Sequence, residues 1–212
     1  MNVLLLGASG MIGQRIANEL LDRGHAVTGT SRSGAVDGVE GDDFDTLALD
    51  ATDADEVADA AADHEAVISA LGPAEDADLD ILVEMADATL AGLRESGTER
   101  LLWVGGAGSL YVAEDTQFIE TDDFPDELVP LAQAHIDAFD VVREADDVEW
   151  SYLAPPGIIE PGERTGDYRT AEGELVVDDE GDSYITCEDF AIAVADELED
   201  PQFVHTHLGV GY

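Results

Sequence analysis

The residues that most constrain this fold lie at the amino terminus, in Val3-Leu4-Leu5-Leu6-Gly7-Ala8-Ser9-Gly10-Met11-Ile12-Gly13. The opening apolar run is too short for a helix but long enough for a buried strand, and it leads directly into glycines spaced GxxGxxG. Beyond them, Ile12, Ile16, Ala17, Leu20 and Leu21 recur at helical spacing, so the predicted order is strand, tight turn, helix. Gly24 stops that helix, and His25 to Thr30 reads as a second strand, which completes a βαβ unit. In such a unit Gly7 permits the sharp bend, Gly10 clears the approach to the helix end, and Gly13 lets the helix pack on the strand. The backbone of Ser9, Gly10, Met11 and Ile12 then presents unpaired N–H groups and the positive end of the helix dipole. The chemistry that fits this turn is a diphosphate.

The alternation of strand and helix continues along the chain. Strands are expected at Thr46–Leu49, Ala66–Ala70, Arg100–Val104, Glu149–Leu153 and Phe203–Leu208. Helices are expected over 57–62, 79–94, 127–144 and 188–198. This pattern predicts an α/β fold with a doubly wound parallel sheet of the Rossmann type, as a single domain over residues 1–212. Residues 157–182 are expected to form an irregular segment on the substrate side, with a short strand at Glu174–Val177.

Open sheets of this kind bind ligands beyond the carboxyl ends of their strands, so the turns there hold the candidate site. After the second strand come Thr30, Ser31 and Arg32, with no acid until Asp37. An acid at this place binds a ribose 2′-hydroxyl and an arginine a 2′-phosphate, so Arg32 favours NADP(H), with NAD(H) possible. Asp50 and Ala51 follow the third strand, where the Asp50 carboxylate can accept from an adenine amino group. Ala70, Leu71 and Gly72 follow the fourth, where the backbone passes the cofactor's ribose, and Pro155 and Ile158 beyond the sixth are expected to border the cofactor.

Composition limits the partners. Of 212 residues, 50 are Asp or Glu and eight are basic, every one of them arginine, for a net charge of −42. The acids are spread along the whole chain, which reads as adaptation to concentrated salt, where self-repulsion is screened; a melting transition indifferent to salt would contradict this. The same charge disfavours nucleic acid and anionic membranes. The first apolar run is too short for a signal peptide or a membrane span, so a cytoplasmic location is expected. Cys187 is the lone cysteine and fits a small half-buried residue near a helix start. His205 and His207, expected on one face of the last strand, lack a third ligand nearby, so no metal is assigned. The expected partner is a small-molecule acceptor, and the expected state a monomer or homodimer.

Together these residues resemble the atypical short-chain dehydrogenase/reductase superfamily, and within it the NADH-flavin reductase family, related to NmrA-like and biliverdin-reductase-B-like proteins. The stretches that carry the likeness are Gly7–Gly13, Val104–Leu110 and Trp150–Arg169, with Asp189-Phe190-Ala191 in the last helix. The resemblance implies an NAD(P)H-dependent oxidoreductase. The superfamily's Tyr-x-x-x-Lys pair is absent: counting back from Arg143 puts Leu131 in the tyrosine place and His135 in the lysine place. Reduction of an electrophilic flavin- or quinone-like acceptor survives that loss, because it needs stacked rings more than a strong acid. In that reading Ser109 orients the nicotinamide or acceptor, Tyr111 stacks or donates, and His135 is the proton source near neutral pH. Gly106 borders the substrate and Arg164 holds an anionic acceptor group. The alternatives are a non-catalytic NADP(H)-binding sensor of the NmrA type, and an extended-type sugar or steroid dehydrogenase or epimerase.

Overall fold

The computed structural model describes residues 1–74 and 77–212. In chain order the elements are β1 (Asn2–Leu6), α1 (Met11–Asp22), β2 (Ala26–Ser31), β3 (Phe44–Ala48), α2 (Ala54–Ala61), β4 (Ala66–Ser69), α3 (Ile81–Ser96), β5 (Arg100–Val104) and β6 (Tyr111–Ala113). They continue with β7 (Thr116–Gln117), α4 (Val129–Arg143), β8 (Glu149–Ala154), β9 (Ile158–Glu160), β10 (Arg169–Glu172), β11 (Tyr184–Thr186), α5 (Cys187–Glu199) and β12 (Thr206–Gly211).

Eight strands form one sheet in the order β3-β2-β1-β4-β5-β8-β12-β10. Every pairing in it is parallel except β10 with β12. In the central strands β1, β4, β5 and β8, covered by helices on both faces, residues of either parity are buried and the strands read as nearly unbroken apolar runs, whereas β3 and β10 are largely exposed. In β1, Val3 and Leu5 pack with Ile16 and Leu20 of α1 and Phe190 and Val194 of α5. Leu4 and Leu6 point to the other face, into the layer built by Val57 of α2, Leu82 and Leu90 of α3 and Val142 of α4. The result is a mostly parallel central sheet with flanking helices, a Rossmann-like α/β fold. Among the described residues no helix is long and apolar enough to cross a membrane.

One buried polar hub ties the carboxyl-terminal half to the sheet. The Arg100 guanidinium donates to Glu197 Oε1 at 2.9 Å and to the Glu149 carbonyl at 2.8 Å, and the Ser151 hydroxyl donates to the same Glu197 oxygen at 2.8 Å. The amides of Gln202 and Phe203 also donate to the Glu197 carboxylate.

Three local expectations differ from the structure. The short edge strand lies at Arg169–Glu172 and not at Glu174–Val177, where only Glu174 makes an isolated bridge to Tyr111. The last strand begins at Thr206, so His205 precedes it, in a left-handed conformation with φ 54°. His205 Nε2 lies 2.8 Å from the Val148 carbonyl, whereas His207 Nε2 lies 3.2 Å from the Ser109 hydroxyl, so the two rings serve different contacts. No cluster of three or more metal-ligating side chains is found among the described residues.

Candidate functional site

The chain leaves β1 towards β2 and β3, then crosses to β4 on the other side. A crevice must open where the connections diverge, outside the carboxyl ends of β1 and β4. A cleft of about 620 Å³ lies there, within the range usual for small-molecule sites.

The turn after β1 forms its floor. Gly7 has φ +79°, a left-handed conformation, and a Cβ there would also lie 2.5 Å from the Ala70 carbonyl oxygen, so the turn presses against β4. Gly13 sits beneath the turn, where a Cβ would come within 2.3 Å of the Gly7 carbonyl oxygen. Gly10 differs from both, since a Cβ there would meet only the Gly7 oxygen, at 3.4 Å. Its emptiness is on the cleft side.

Gly10 is the N-cap of α1, with no side-chain cap and no acid in the first turn. Two of the other helices are treated differently: Asp53 caps α2, ahead of Asp55 and Glu56, and Thr186 caps α5, ahead of Glu188 and Asp189, whereas α4 also starts without a side-chain cap or a first-turn acid but follows directly on the 3-10 turn Asp126–Leu128. In a chain this acidic, one bare helix N-terminus opening onto a cleft leaves its N–H donors for a ligand anion.

The walls divide by chemistry. Towards β2 and β3 the lining holds Thr30, Ser31, Arg32, Leu49, Asp50, Ala51 and Thr52. The Asp50 carboxylate accepts from the Thr52 amide at 3.0 Å and hydroxyl at 2.8 Å, and these bonds, with a smaller contribution from Arg32, hold it below the usual carboxylate range. Among the described residues Arg32 is the one arginine with no carboxylate or carbonyl partner. Arg15, Arg23, Arg94, Arg100, Arg143 and Arg164 pair with acids, and Arg169 donates to the carbonyls of Val177 and Tyr212. Towards β5 and α4 the lining is Leu71, Pro73, Ile81, Met85, Val104, Gly105, Leu131 and His135, with Glu84 at the edge.

His135 and Leu131 stand one helical turn apart on α4 and both reach the cleft. Burial pulls the His135 pKa down to about 4. The ring is therefore neutral at pH 7 and is not an imidazolium acid there, which corrects the expectation of a proton source near neutrality. It offers one N–H and one lone pair, and its buried Nδ1 has no partner among the described residues. Its backbone is fixed by the fully buried Tyr152, whose hydroxyl donates to the His135 carbonyl at 3.1 Å. Tyr152 in turn dictates Gly105, where a Cβ would fall 2.0 Å from the tyrosine ring.

Gly7, Ser9, Gly10, Met11, Ile12, Arg32, Asp50, Ala51, Ala70, Leu71, Gly72 and His135 are thus gathered in one cleft. The others lie elsewhere. Ser109 is buried and turns its hydroxyl to His207 and to the Gly106 carbonyl, both at 3.2 Å. Gly106 is behind the wall, against the His135 ring. Tyr111 lies on the exposed β6–β7 hairpin and lines a separate hollow with Glu172 and Glu174. Pro155 and Ile158 do not reach the cleft, and Ile158 pairs instead in the small β9–β11 sheet.

Arg164 is on the opposite face of the sheet from α4, forked onto Glu19 of α1 with two bonds of 2.8 Å. The neighbouring amides of Thr165 and Gly166 each donate to the Asp189 carboxylate of α5 at 2.9 Å. The Pro161–Gly166 turn therefore clamps α1 to α5, and Arg164 is spent on that clamp.

The sequence alone does not single out Ile81 or Met85, or Leu131 as a wall residue, whereas Gly105 belongs to the glycine-rich turn at the carboxyl end of β5, where the substrate is expected. Ile81/Met85 and Leu131/His135 are i, i+4 pairs, so the helical spacing carried a signal that two helices present apolar steps to one space.

The residues present fit a dinucleotide. Glycine backbone lies at the bare end of α1, Arg32, without a partner among the described residues, stands on the wall beyond β2 and β3, and a Cβ on Gly72 would meet nothing within 4 Å, leaving room beside β4.

Comparison with known proteins gives an independent result. Residues 7–201 match the profile of a family described as NAD(P)H-binding. A Burkholderia pseudomallei structure provisionally described as an exported protein is 40% identical, covers 100% of both chains and superposes with a TM-score of 0.91. A Bacteroides thetaiotaomicron structure provisionally described as an epimerase is 31% identical, with 100% of this chain and 96% of that one covered and a TM-score of 0.90. A Streptococcus pneumoniae structure provisionally described as an NADH-flavin reductase is 29% identical, with 100% and 99% covered and a TM-score of 0.87.

Proposed function

From the premise that the chain belongs to the NAD(P)H-binding family, we propose that it is an NAD(P)H-dependent oxidoreductase that prefers NADPH and reduces a flavin- or quinone-like acceptor. The observation that carries this reading is the continuity of the cleft. The uncapped end of α1 and Arg32 lie at one end, and an apolar wall beside a neutral histidine lies at the other. The description given to the Streptococcus pneumoniae relative agrees with it.

The amides from Ser9 to Ile12 would hold the pyrophosphate, Arg32 the 2′-phosphate, and the Asp50 carboxylate the adenine amino group. The cofactor, when bound, supplies a hydrogen with its electron pair at the nicotinamide ring. The chain's task is then positioning. Leu71, Val104 and Gly105 confine one ring, and Ile81, Met85 and Leu131 exclude water from the face on which a second ring stacks. The neutral His135 ring offers a hydrogen bond to that second ring, and solvent supplies the remaining proton.

The test is NADPH oxidation with menadione or riboflavin as acceptor, followed at 340 nm, for the wild type and for Leu131→Asp, which places a charge on the stacking wall. The reading expects turnover that the variant loses while keeping its NADPH affinity. Tight NADPH binding without turnover on either acceptor would favour the sensor reading instead.

A further inference from the structure

We infer that the acceptor is an uncharged planar ring system, recognised by its faces and not through a phosphate or carboxylate. This rests on the oxidoreductase reading above. The half of the cleft beyond Leu71 contains no cation: its titratable groups among the described residues are Glu84, an exposed acid, and His135, neutral at pH 7.

No cation elsewhere is free to serve it. The chain has no lysine, and the arginines other than Arg32 are committed to partners outside this half of the cleft. Arg32 stands at the other end, beside Asp50 and Thr52.

A flavin phosphate brought to this wall gives up water and finds no donor of opposite charge, with Glu84 repelling it. A quinone, or a flavin lacking the phosphate, gives up no charge hydration by the same approach and gains apolar contact along Ile81, Met85 and Leu131. The acceptor ring takes the hydrogen and electron pair of the nicotinamide C4–H bond and is reduced by two electrons, the nicotinamide is left oxidised, and water provides the second proton.

The test is equilibrium dialysis of riboflavin and FMN, separately, against protein saturated with NADP⁺ in about 1 M KCl, where a Debye length of about 3 Å confines the comparison to short-range contacts. Riboflavin is expected to bind at least about fivefold more tightly than FMN, the scale of one exposed charge interaction, and menadione to displace it. Glu84→Arg, a surface change on α3, is expected to close that gap by tightening FMN alone. FMN binding as tightly as riboflavin, or a gap unmoved by Glu84→Arg, overturns the inference while leaving the oxidoreductase reading in place. If protein that binds NADPH takes up neither flavin nor menadione, both fall.

Discussion

Gly10 and Gly13 stand three residues apart at the start of α1 and should fail in opposite ways. In Gly13→Ala the new Cβ is placed 2.3 Å from the Gly7 carbonyl oxygen and 3.0 Å from Ala8 Cα, and both neighbours are backbone that cannot rotate away. Overpacking of this kind costs about 1–3 kcal/mol, and a 2.3 Å approach to rigid backbone puts Gly13→Ala at the upper end, ~3 kcal/mol, offset by the ~1 kcal/mol that alanine gains over glycine inside a helix. The expected net loss is roughly 2 kcal/mol, or a Tm lower by about 4–8 °C for a chain of this length. Gly10→Asp meets only one backbone atom at 3.4 Å, and its φ of −74° and ψ of 164° suit any residue. As an N-cap, aspartate also accepts from the first amides of α1, so stability should be unchanged or up to ~1 kcal/mol higher. The same carboxylate occupies the anion position, and NADPH affinity should fall by at least about a hundredfold, or ~2.7 kcal/mol. Thermal melting and a nicotinamide fluorescence titration on the same samples read both effects. The reasoning is refuted if Gly10→Asp retains NADPH affinity within about threefold, or if it melts below Gly13→Ala.

Other consequences can be checked separately. Arg32→Ala leaves no buried partner behind, so it should weaken NADPH by roughly 10- to 100-fold, the worth of a charge-assisted bond to phosphate, and leave NADH unchanged in parallel titrations. Glu197→Ala strands the buried Arg100 and should lower stability by about 3–5 kcal/mol, seen as a Tm drop on the order of 10 °C, with NADPH affinity kept at temperatures where the variant is folded. Burial also pulls His207 down to about 4, as it does His135. Below their unfolded value of 6.5 the unfolded chain takes up these protons and the folded chain does not, so their contribution falls as pH drops from 6.5 towards 4. His207→Phe should therefore flatten the slope of unfolding free energy against pH between those limits by about 1.4 kcal/mol per unit, one proton's worth, as measured by denaturant titration.

What the chain revealed in advance follows from where its signals are local. Strands buried on both faces announce themselves as apolar runs, which is why β1, β4, β5 and β8 could be placed to within a residue or two. The edge strand β10, Arg169-Thr170-Ala171-Glu172, has no such run, because its residues are largely exposed and its order comes from pairing with β12. The β-branched Val176 and Val177 attracted the assignment instead. At the carboxyl end the clue was present in Gly209, where a Cβ would lie 2.1 Å from the Glu174 carbonyl oxygen. Glycine within a strand marks such a close approach, while the left-handed backbone of His205 keeps that residue out of the strand, which begins at Thr206.

The site divides in the same manner. The glycine turn and Arg32 are local chemistry and were readable. Ser109 and Tyr111 lie by residue type near the carboxyl end of β5 and Arg164 in the family-like stretch Trp150–Arg169, and only tertiary packing decides that they face His207, solvent and Glu19. The apolar wall required knowing that α3 and α4 lean over one crevice.

The central claim is that the bare end of α1 grips a dinucleotide so that its nicotinamide lies among Leu71, Val104 and Gly105, facing the wall of Ile81, Met85 and Leu131. Calorimetric titration of NADPH into the folded protein tests this most directly, run beside the Gly10→Asp variant with folding checked by circular dichroism. One saturable site that the variant lacks is the predicted result. A folded protein that binds neither NADPH nor NADH, or a variant that binds as well as its parent, would contradict the claim.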